Sequence, residues 1–249
     1  MTRVSLVTGG ATGIGRATVL KLARAGDHVA IHYHSTPADE VAEQARALGA
    51  DVLCVQADLR DDAQVRSMFS QVEDRFRRLD VLVNNAGLTH WVPVTDLDGL
   101  TDAIWHDVLD VDLIAPFRCV RAAAPLLRAA HGSVVNIASV SGVLATPTTS
   151  SLAYGAAKAA LMYLTRGLAM ALAPEVRVNA VAPAFTDTRW MQQHYGNAYA
   201  ERVASAAATI PLARVASPED VANAILSLVD GSAFVTGQTL LVDGGLTLV

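Results

Sequence analysis

Seven short apolar segments recur along this chain and limit its possible folds more than any other feature. Between them, apolar side chains recur every three to four residues, which is typical of helices. The apolar segments are Val4–Thr8, His28–Tyr33, Asp51–Gln56, Leu79–Val83, Gly132–Ile137, Val176–Val181 and Thr239–Val242. Strands that alternate with helices build a parallel sheet through right-handed crossovers. We therefore predict a doubly wound α/β fold of about seven strands with helices on both faces.

The chain shows no sign of a second domain. Its 249 residues contain no linker, repeat or low-complexity tract, so we predict one domain over residues 1–249. Hydrophobic residues make up 52% and charged residues 17%, which fits a sheet covered on both faces and a buried subunit interface. Residues 186–211 have the least regular pattern and several aromatic side chains. We predict that this segment is a substrate lid.

Charge and cysteine usage exclude several classes of function. A net charge of −5 gives no general attraction to nucleic acid or to an anionic membrane. No apolar run reaches the roughly 18 residues of a membrane span, and no secretory leader precedes the first strand. Cys54 and Cys119 lack the spacing of a metal site or a disulfide framework. We expect a cytoplasmic protein with no metal that acts on a small molecule.

A glycine-rich turn between the first strand and the first helix predicts a nucleotide site. Gly9, Gly13 and Gly15 surround Thr12 and Ile14 in this turn. Glycines let the backbone approach a pyrophosphate, and a helix N-terminus offers free N–H donors. This order of strand, turn and helix is that of a Rossmann-type dinucleotide site.

The end of the second strand predicts which dinucleotide binds. A site for the unphosphorylated cofactor usually has a carboxylate here, on the ribose 2′-hydroxyl. This chain has Tyr33, His34 and Ser35 instead. Their hydroxyl and imidazole groups suit a 2′-phosphate, so we predict that NADP(H) is preferred over NAD(H). No lysine or arginine lies in this stretch to strengthen the prediction.

Tyr154 and Lys158 form a candidate acid/base pair. They are four residues apart in an alanine-rich helical segment, so they lie on one helix face. A nearby ammonium lowers the pKa of a phenol and suits it to proton transfer. A tyrosine and a lysine at this spacing are more often a surface pair. Polar residues at the ends of neighbouring strands favour the catalytic interpretation, because such ends meet at one crevice.

The order of these motifs resembles the short-chain dehydrogenase/reductase family. The resemblance rests on Thr8–Gly15, Asn84–Gly87, Ser139, Tyr154 with Lys158, and Pro183, and it covers essentially the whole chain. Within the family the chain is most similar to 3-oxoacyl-carrier-protein reductases and related NADP(H) carbonyl reductases. His32–Ser35 is locally similar to the pteridine reductases, which use NADPH.

The resemblance implies a role for each matching residue. Tyr154 would exchange a proton with the substrate oxygen, Ser139 would position that oxygen, and Lys158 would bind the nicotinamide ribose and lower the pKa of Tyr154. The implied cofactor contacts beyond the glycine-rich turn and second strand are Asp58, Leu59, Asn85, Ala86, Gly87, Tyr154, Lys158, Pro183 and Thr188.

The implied function is NAD(P)H-dependent interconversion of a ketone or 3-oxoacyl group and a secondary alcohol. The alternative is a regulatory or structural homologue that binds the cofactor with little turnover.

Small residues on the Tyr154 helix, including Ala157, predict close helix packing in a homotetramer. Delivery by an acidic carrier protein would need a basic patch, for which Arg128 and Arg166 are candidates.

One catalytic position departs from the family pattern. The fourth catalytic residue of the family, an asparagine, falls on Asp112. In the family, the main-chain carbonyl of that residue binds a water on the proton path. The aspartate is therefore either a tolerated variant, which we favour, or a cause of a shifted pH optimum. The loop from Ser139 to Tyr154, which includes residues 144–151, is also slightly longer than usual.

Overall fold

The computed structural model describes residues 2–146, 150–231 and 233–249 and contains a seven-stranded parallel sheet. The strands lie in the order β3-β2-β1-β4-β5-β6-β7. Their bounds are β1 Val4–Val7, β2 His28–Tyr33, β3 Val52–Gln56, β4 Val81–Asn84, β5 Ser133–Ile137, β6 Arg177–Pro183 and β7 Thr239–Val242. The predicted doubly wound fold is confirmed. The strand order reverses between β1 and β4, which is where open sheets of this kind bind ligands.

Helices connect the strands and cover both faces of the sheet. Their bounds are α1 Gly13–Arg24, α2 Asp39–Ala47, α3 Asp62–Phe76, α4 Asp102–Leu109, α5 Ala115–Ala130, α6 Leu152–Leu172, α7 Arg189–Tyr195, α8 Tyr199–Thr209 and α9 Pro218–Asp230. Asp61 caps α3, because its carboxylate accepts the N–H of Ala63 at 2.8 Å. The predicted loop over residues 144–151 includes residues 147–149, which lie outside the described residues.

Residues 186–211 are more regular than their sequence predicts. Most of the segment folds into α7 and α8. Thr188 caps α7, and its hydroxyl accepts the N–H of Met191 at 3.4 Å. Short helices of this kind are stabilised by packing on neighbouring elements rather than by an extended apolar pattern. Their periodicity is therefore hard to read in the sequence.

Two apolar cores lie on opposite faces of the sheet, because successive strand residues point to opposite sides. Leu6 and Leu82 face a core built with α3, α5 and α6. Val7 and Val83 face the second core, built with α1, α2 and α9. Both faces of the sheet are covered by apolar side chains, which explains the low charge content of the chain.

A π-helical turn separates α4 from α5. The sequence predicts two helices here, and the structure joins them through a wide turn at Asp110–Ile114. Such insertions in a helix occur frequently at functional sites. The turn places Asp112 at its middle with no exposed surface.

Candidate active site

The carboxyl ends of β1 and β4 are bound together by polar side chains. The Thr8 hydroxyl accepts the backbone N–H groups of Asn85 at 2.9 Å and Ala86 at 3.0 Å. In return, the Asn85 amide donates to the carbonyls of Thr8 and Gly9, at 2.9 and 3.0 Å. The glycine-rich turn and the loop after β4 are therefore held against each other at the switch point.

The glycine-rich turn has the shape that a dinucleotide pyrophosphate requires. Gly9 and Gly13 have φ angles of +62° and +52°, which disfavour any other residue. A Cβ at Gly15 would lie 2.2 Å from the carbonyl oxygen of Gly9, so only glycine fits there. Thr12, at the N-cap of α1, makes no capping bond through its side chain, which leaves the first N–H groups of the helix uncapped. The turn fits the predicted cofactor.

The loop after β6 faces the same turn. A Cβ at Gly13 would lie 3.4 Å from Cγ2 of Thr188. Pro183 ends β6 beside β7 and is buried. The structure thus brings Thr188, predicted from the resemblance alone, next to the glycine-rich turn.

His32 is a site residue that sequence reasoning missed. Its buried ring lies under the glycine-rich turn, where Nδ1 accepts the N–H of Gly9 at 3.1 Å. Nε2 then donates to the carbonyl of Ala57 at 3.0 Å. Burial lowers the pKa of His32, which is consistent with a neutral ring in this arrangement. The only sequence signal was its place in the stretch that resembles the pteridine reductases.

The ends of β2 and β3 bring His34 and Asp58 together. The His34 Nε2 lies 3.9 Å from Oδ2 of Asp58. Arg60, which sequence reasoning also missed, grips the same carboxylate at 2.8 Å and pairs with Asp107 at 2.9 Å. The hydrogen bond from Arg60 lowers the pKa of Asp58 to about 2. The guanidinium of Arg60 thus lies next to the predicted 2′-phosphate region, although it is paired with the carboxylates of Asp58 and Asp107.

Tyr154 and Ser139 meet at the start of α6. Ser151 caps this helix, and its hydroxyl accepts the N–H of Tyr154 at 3.2 Å. Ser139 follows β5 directly, and its hydroxyl accepts the N–H of Ser141 at 3.1 Å. The Ser139 hydroxyl lies close enough to the Tyr154 side chain to act on its pKa. A substrate oxygen can therefore reach both hydroxyl groups.

Lys158 lies one turn further along α6 and is almost fully buried. Its Nζ lies 5.4 Å from the ring centroid of Tyr154. It donates to the carbonyl of Ile137, at the end of β5, at 2.9 Å. The spacing in the sequence thus corresponds to a shared site rather than to a surface pair.

Asp112 makes a contact that the sequence did not predict. Its Oδ1 lies 2.8 Å from Nζ of Lys158, and its Oδ2 accepts the N–H of Leu88 at 3.1 Å. The resemblance placed the function of this position in its main-chain carbonyl. In this chain the side chain itself touches the lysine.

The predicted net lowering of the Tyr154 pKa is not found. Burial raises the pKa of Tyr154 above its usual value, and the negative charge of Asp112 adds to this effect. Lys158 and Ser139 act to lower the pKa of Tyr154, as expected, but burial outweighs them. The sequence showed the lysine and could not show how deeply the phenol is buried.

Aromatic side chains join α7 to the loop after β4. Trp91 stacks on His194 with ring centroids 3.5 Å apart, and it lies 5.8 Å from Trp190. Trp190 in turn lies 6.4 Å from the ring of Tyr154. Trp190 therefore lies beside the predicted acid, and Trp91 packs behind it.

Arg128 and Arg166 do not form a basic patch at this site. Arg128 donates to the carbonyl of Ala171, near the far end of α6. At about 1.5 Å per helical residue, that point is about 25 Å from Tyr154. Helices return to the opposite edge of the sheet, so arginines late in α5 and α6 lie away from the strand ends.

The described part of the chain offers neither a membrane-spanning helix nor a metal cluster. No helix in it is both long and apolar enough to cross a bilayer. No group of three or more histidine, cysteine or acidic side chains in those residues could hold a metal ion.

Comparisons with known proteins agree with this geometry. Residues 9–247 match the family model described as enoyl-(acyl carrier protein) reductase. The 3-oxoacyl-[acyl-carrier-protein] reductase FabG of Staphylococcus aureus is 37% identical over 99% of this chain and 98% of its own length.

Solved structures superpose on the whole chain. A candidate short-chain dehydrogenase/reductase from Burkholderia xenovorans is 36% identical, with a TM-score of 0.91, and the match covers 100% of this chain and 99% of the other. The structure of ElxO with NADP bound is 27% identical, with a TM-score of 0.90, and the match covers 100% of both chains.

Proposed function

This chain belongs to the short-chain dehydrogenase/reductase family, and we propose that it reduces a ketone or 3-oxoacyl group with NADPH. Membership makes it an NAD(P)H-dependent oxidoreductase that interconverts ketones and secondary alcohols. One observation carries the proposed reaction: Tyr154 and Lys158 meet at the end of β5, where Nζ of Lys158 lies 5.4 Å from the Tyr154 ring centroid and 2.9 Å from the carbonyl of Ile137. A protonated tyrosine in such a cluster can donate its proton to a carbonyl oxygen.

The site residues would bind the cofactor, orient the substrate and transfer the proton. A bound nicotinamide supplies the hydride, and the glycine-rich turn with Thr188 would hold its phosphates. Ser139 would donate a hydrogen bond to the substrate carbonyl oxygen, and Tyr154 would give that oxygen its proton. Lys158 would stabilise the negative charge left on Tyr154, because its ammonium lies close to the ring.

A substrate panel tests this function. We expect NADPH oxidation with ketones and with 3-oxoacyl thioesters, for which the carrier-protein reductase from S. aureus is the supporting relative. Arg128 lies far from Tyr154 and forms no basic patch there, so we expect small thioesters to react without a carrier protein. Cofactor binding without turnover on any ketone or thioester would instead favour the regulatory alternative, which the named relatives do not support.

We propose that NADP(H) is the preferred cofactor. The end of β2 carries His34 and Ser35 with no carboxylate, and Arg60 lies close by. Charge-assisted hydrogen bonds to a 2′-phosphate are worth about 2 kcal/mol, so NADPH should bind at least about tenfold more tightly than NADH. Fluorescence titration measures both affinities. Tighter NADH binding would contradict the proposal, and Ser35→Asp should reverse the order by repelling the phosphate.

We propose a homotetramer with two kinds of interface. On α6, Tyr163 and Met170 are about four-fifths exposed, at 78% and 83%. A second apolar surface lies near β7 and includes Phe234 and Leu248. Two separate apolar patches fit a closed tetramer with dihedral symmetry. Ala157, predicted for the helix interface, faces the core of its own subunit instead. Light scattering at micromolar concentration should give four times the chain mass, and a monomer would contradict this.

We propose that residues 186–211 act as the substrate lid. The stacking of Trp91 on His194 supports a closing contact between α7 and the loop after β4.

We propose a cytoplasmic location. Two free thiols, Cys54 and Cys119, support a reducing compartment.

A further inference from the structure

We propose that Asp112 is a positioning residue that acts as the buried counter-ion of Lys158 and biases the site toward carbonyl reduction. This inference rests on the proposed function and deepens it. Asp112 is fully buried and Lys158 is 4% exposed, with 2.8 Å between their charged atoms. An ion pair so well shielded from water acts strongly on a neighbouring titratable group.

Backbone geometry holds the carboxylate in place. The π-helical turn at Asp110–Ile114 projects Asp112 inward, and the N–H of Leu88 binds its second oxygen. Gly87 packs against the pair, since a Cβ there would lie 2.9 Å from Oδ1 of Asp112 and 3.7 Å from Nζ of Lys158. The loop after β4 thus leaves room for the carboxylate and supplies it with a donor.

The charge balance of the site decides what Tyr154 can do. Lys158 alone would favour the phenolate, which is the base needed to oxidise an alcohol. A carboxylate paired with Lys158 offsets this attraction and disfavours a second negative charge nearby. Tyr154 then keeps its proton at neutral pH and is ready to donate it to a carbonyl oxygen.

Few other charged groups act on the carboxylate of Asp112. From α6 it faces Lys158 and Tyr154, and from α4 it faces Asp107, which is itself paired with His90 and Arg60. The end of β5 presents the carbonyl of Ile137 to the lysine and the hydroxyl of Ser139 to the tyrosine. Burial works to lower the pKa of Lys158, but Asp112 more than compensates, so the lysine stays charged.

The variant Asp112→Asn tests the inference, because it removes the charge and keeps an acceptor for Leu88. We expect the rate of ketone reduction to fall at high pH, where Tyr154 loses its proton. We expect the midpoint of that fall in kcat/KM to move to lower pH by at least about one unit. Asp110→Asn is the matched control, since Asp110 lies in the same turn, is 37% exposed and pairs with Arg118. Its profile should coincide with that of the unmodified enzyme.

A second readout does not depend on activity. Ultraviolet titration of the phenolate, taken as the difference between each protein and its Tyr154→Phe counterpart, reports the ionisation of Tyr154 directly. We expect the same acid shift in Asp112→Asn and in Asp112→Ser, whose side chains differ and share only the lost charge. An absence of ketone reduction would refute the proposed function and leave this titration to decide the inference.

Unchanged midpoints in both variants, or a shift to higher pH, would overturn the inference. A loss of kcat with no shift in either profile would do the same, because it would show a purely structural role for Asp112.

Discussion

Tyr154→Phe is expected to lower kcat for ketone reduction by about a thousandfold, within the range for loss of a general acid. The phenylalanine keeps the ring and its contact with Trp190 but has no proton to give. Affinity for NADPH should change by less than about threefold, because the glycine-rich turn and β2 lie outside this contact. Steady-state kinetics and fluorescence titration on the same preparations separate the two effects.

Tyr163→Phe is the matched control for that experiment. Tyr163 lies on the same helix and is 78% exposed, and no hydrogen bond or ring contact is found for it in the described part of the chain. The control should retain full activity with every substrate. Equal rates for Tyr154→Phe and the unmodified enzyme would show that Tyr154 is not the proton donor. Equal losses in both variants would point instead to damage along α6.

Lys158→Met is expected to destabilise the fold as well as stop the reaction. Methionine replaces the stem of the lysine but leaves Asp112 buried without its cation. Removal of one partner from a buried pair costs about 3–5 kcal/mol of the free energy of unfolding. For a chain of this size, that corresponds to a fall in Tm of about 10 °C.

The loss should depend on pH in a stated direction. Burial raises the pKa of Asp112 already, and without Lys158 it rises further. A carboxyl whose pKa is higher in the folded state than in the unfolded state lowers the free energy of unfolding as the pH rises and it ionises. The deficit should therefore be small below the ordinary aspartate pKa of about 4 and should widen as the pH rises toward 8. Thermal unfolding across this range measures it.

The double variant Lys158→Met with Asp112→Asn separates charge from packing. It should recover most of the stability lost by Lys158→Met, and its deficit should no longer widen with pH. Lys21→Met is the control, since Lys21 is a partly exposed lysine on α1. A deficit that is the same at every pH would show that Asp112 carries no charge in the folded protein.

The sequence was sufficient for the architecture and for the place of the site. Strand and helix periods are short-range patterns, so the order of β1 to β7 and the helices between them could be predicted from neighbouring residues. The strand-end motifs could be placed at one edge because parallel strands leave little choice. The spacing of Tyr154 and Lys158 placed them on one face of α6.

The sequence was weaker where short helices depend on their neighbours. The segment over residues 186–211 has little periodicity of its own, yet it forms α7 and α8. Its aromatic side chains were visible, but the stacking of His194 on Trp91 depends on a loop more than a hundred residues earlier in the chain. No local pattern encodes such a contact.

What the sequence by itself determined is thus the fold, the family and the residue types at the strand ends. Only the tertiary structure decided the electrostatics between them. It put the ring of His32 under the glycine-rich turn, and it paired Asp112 with Lys158. It also removed the partly buried Tyr154 far enough from water that its pKa rises despite the nearby lysine. The physical reason is that a charge is governed by its distance to other charges and to water, and only packing sets those distances.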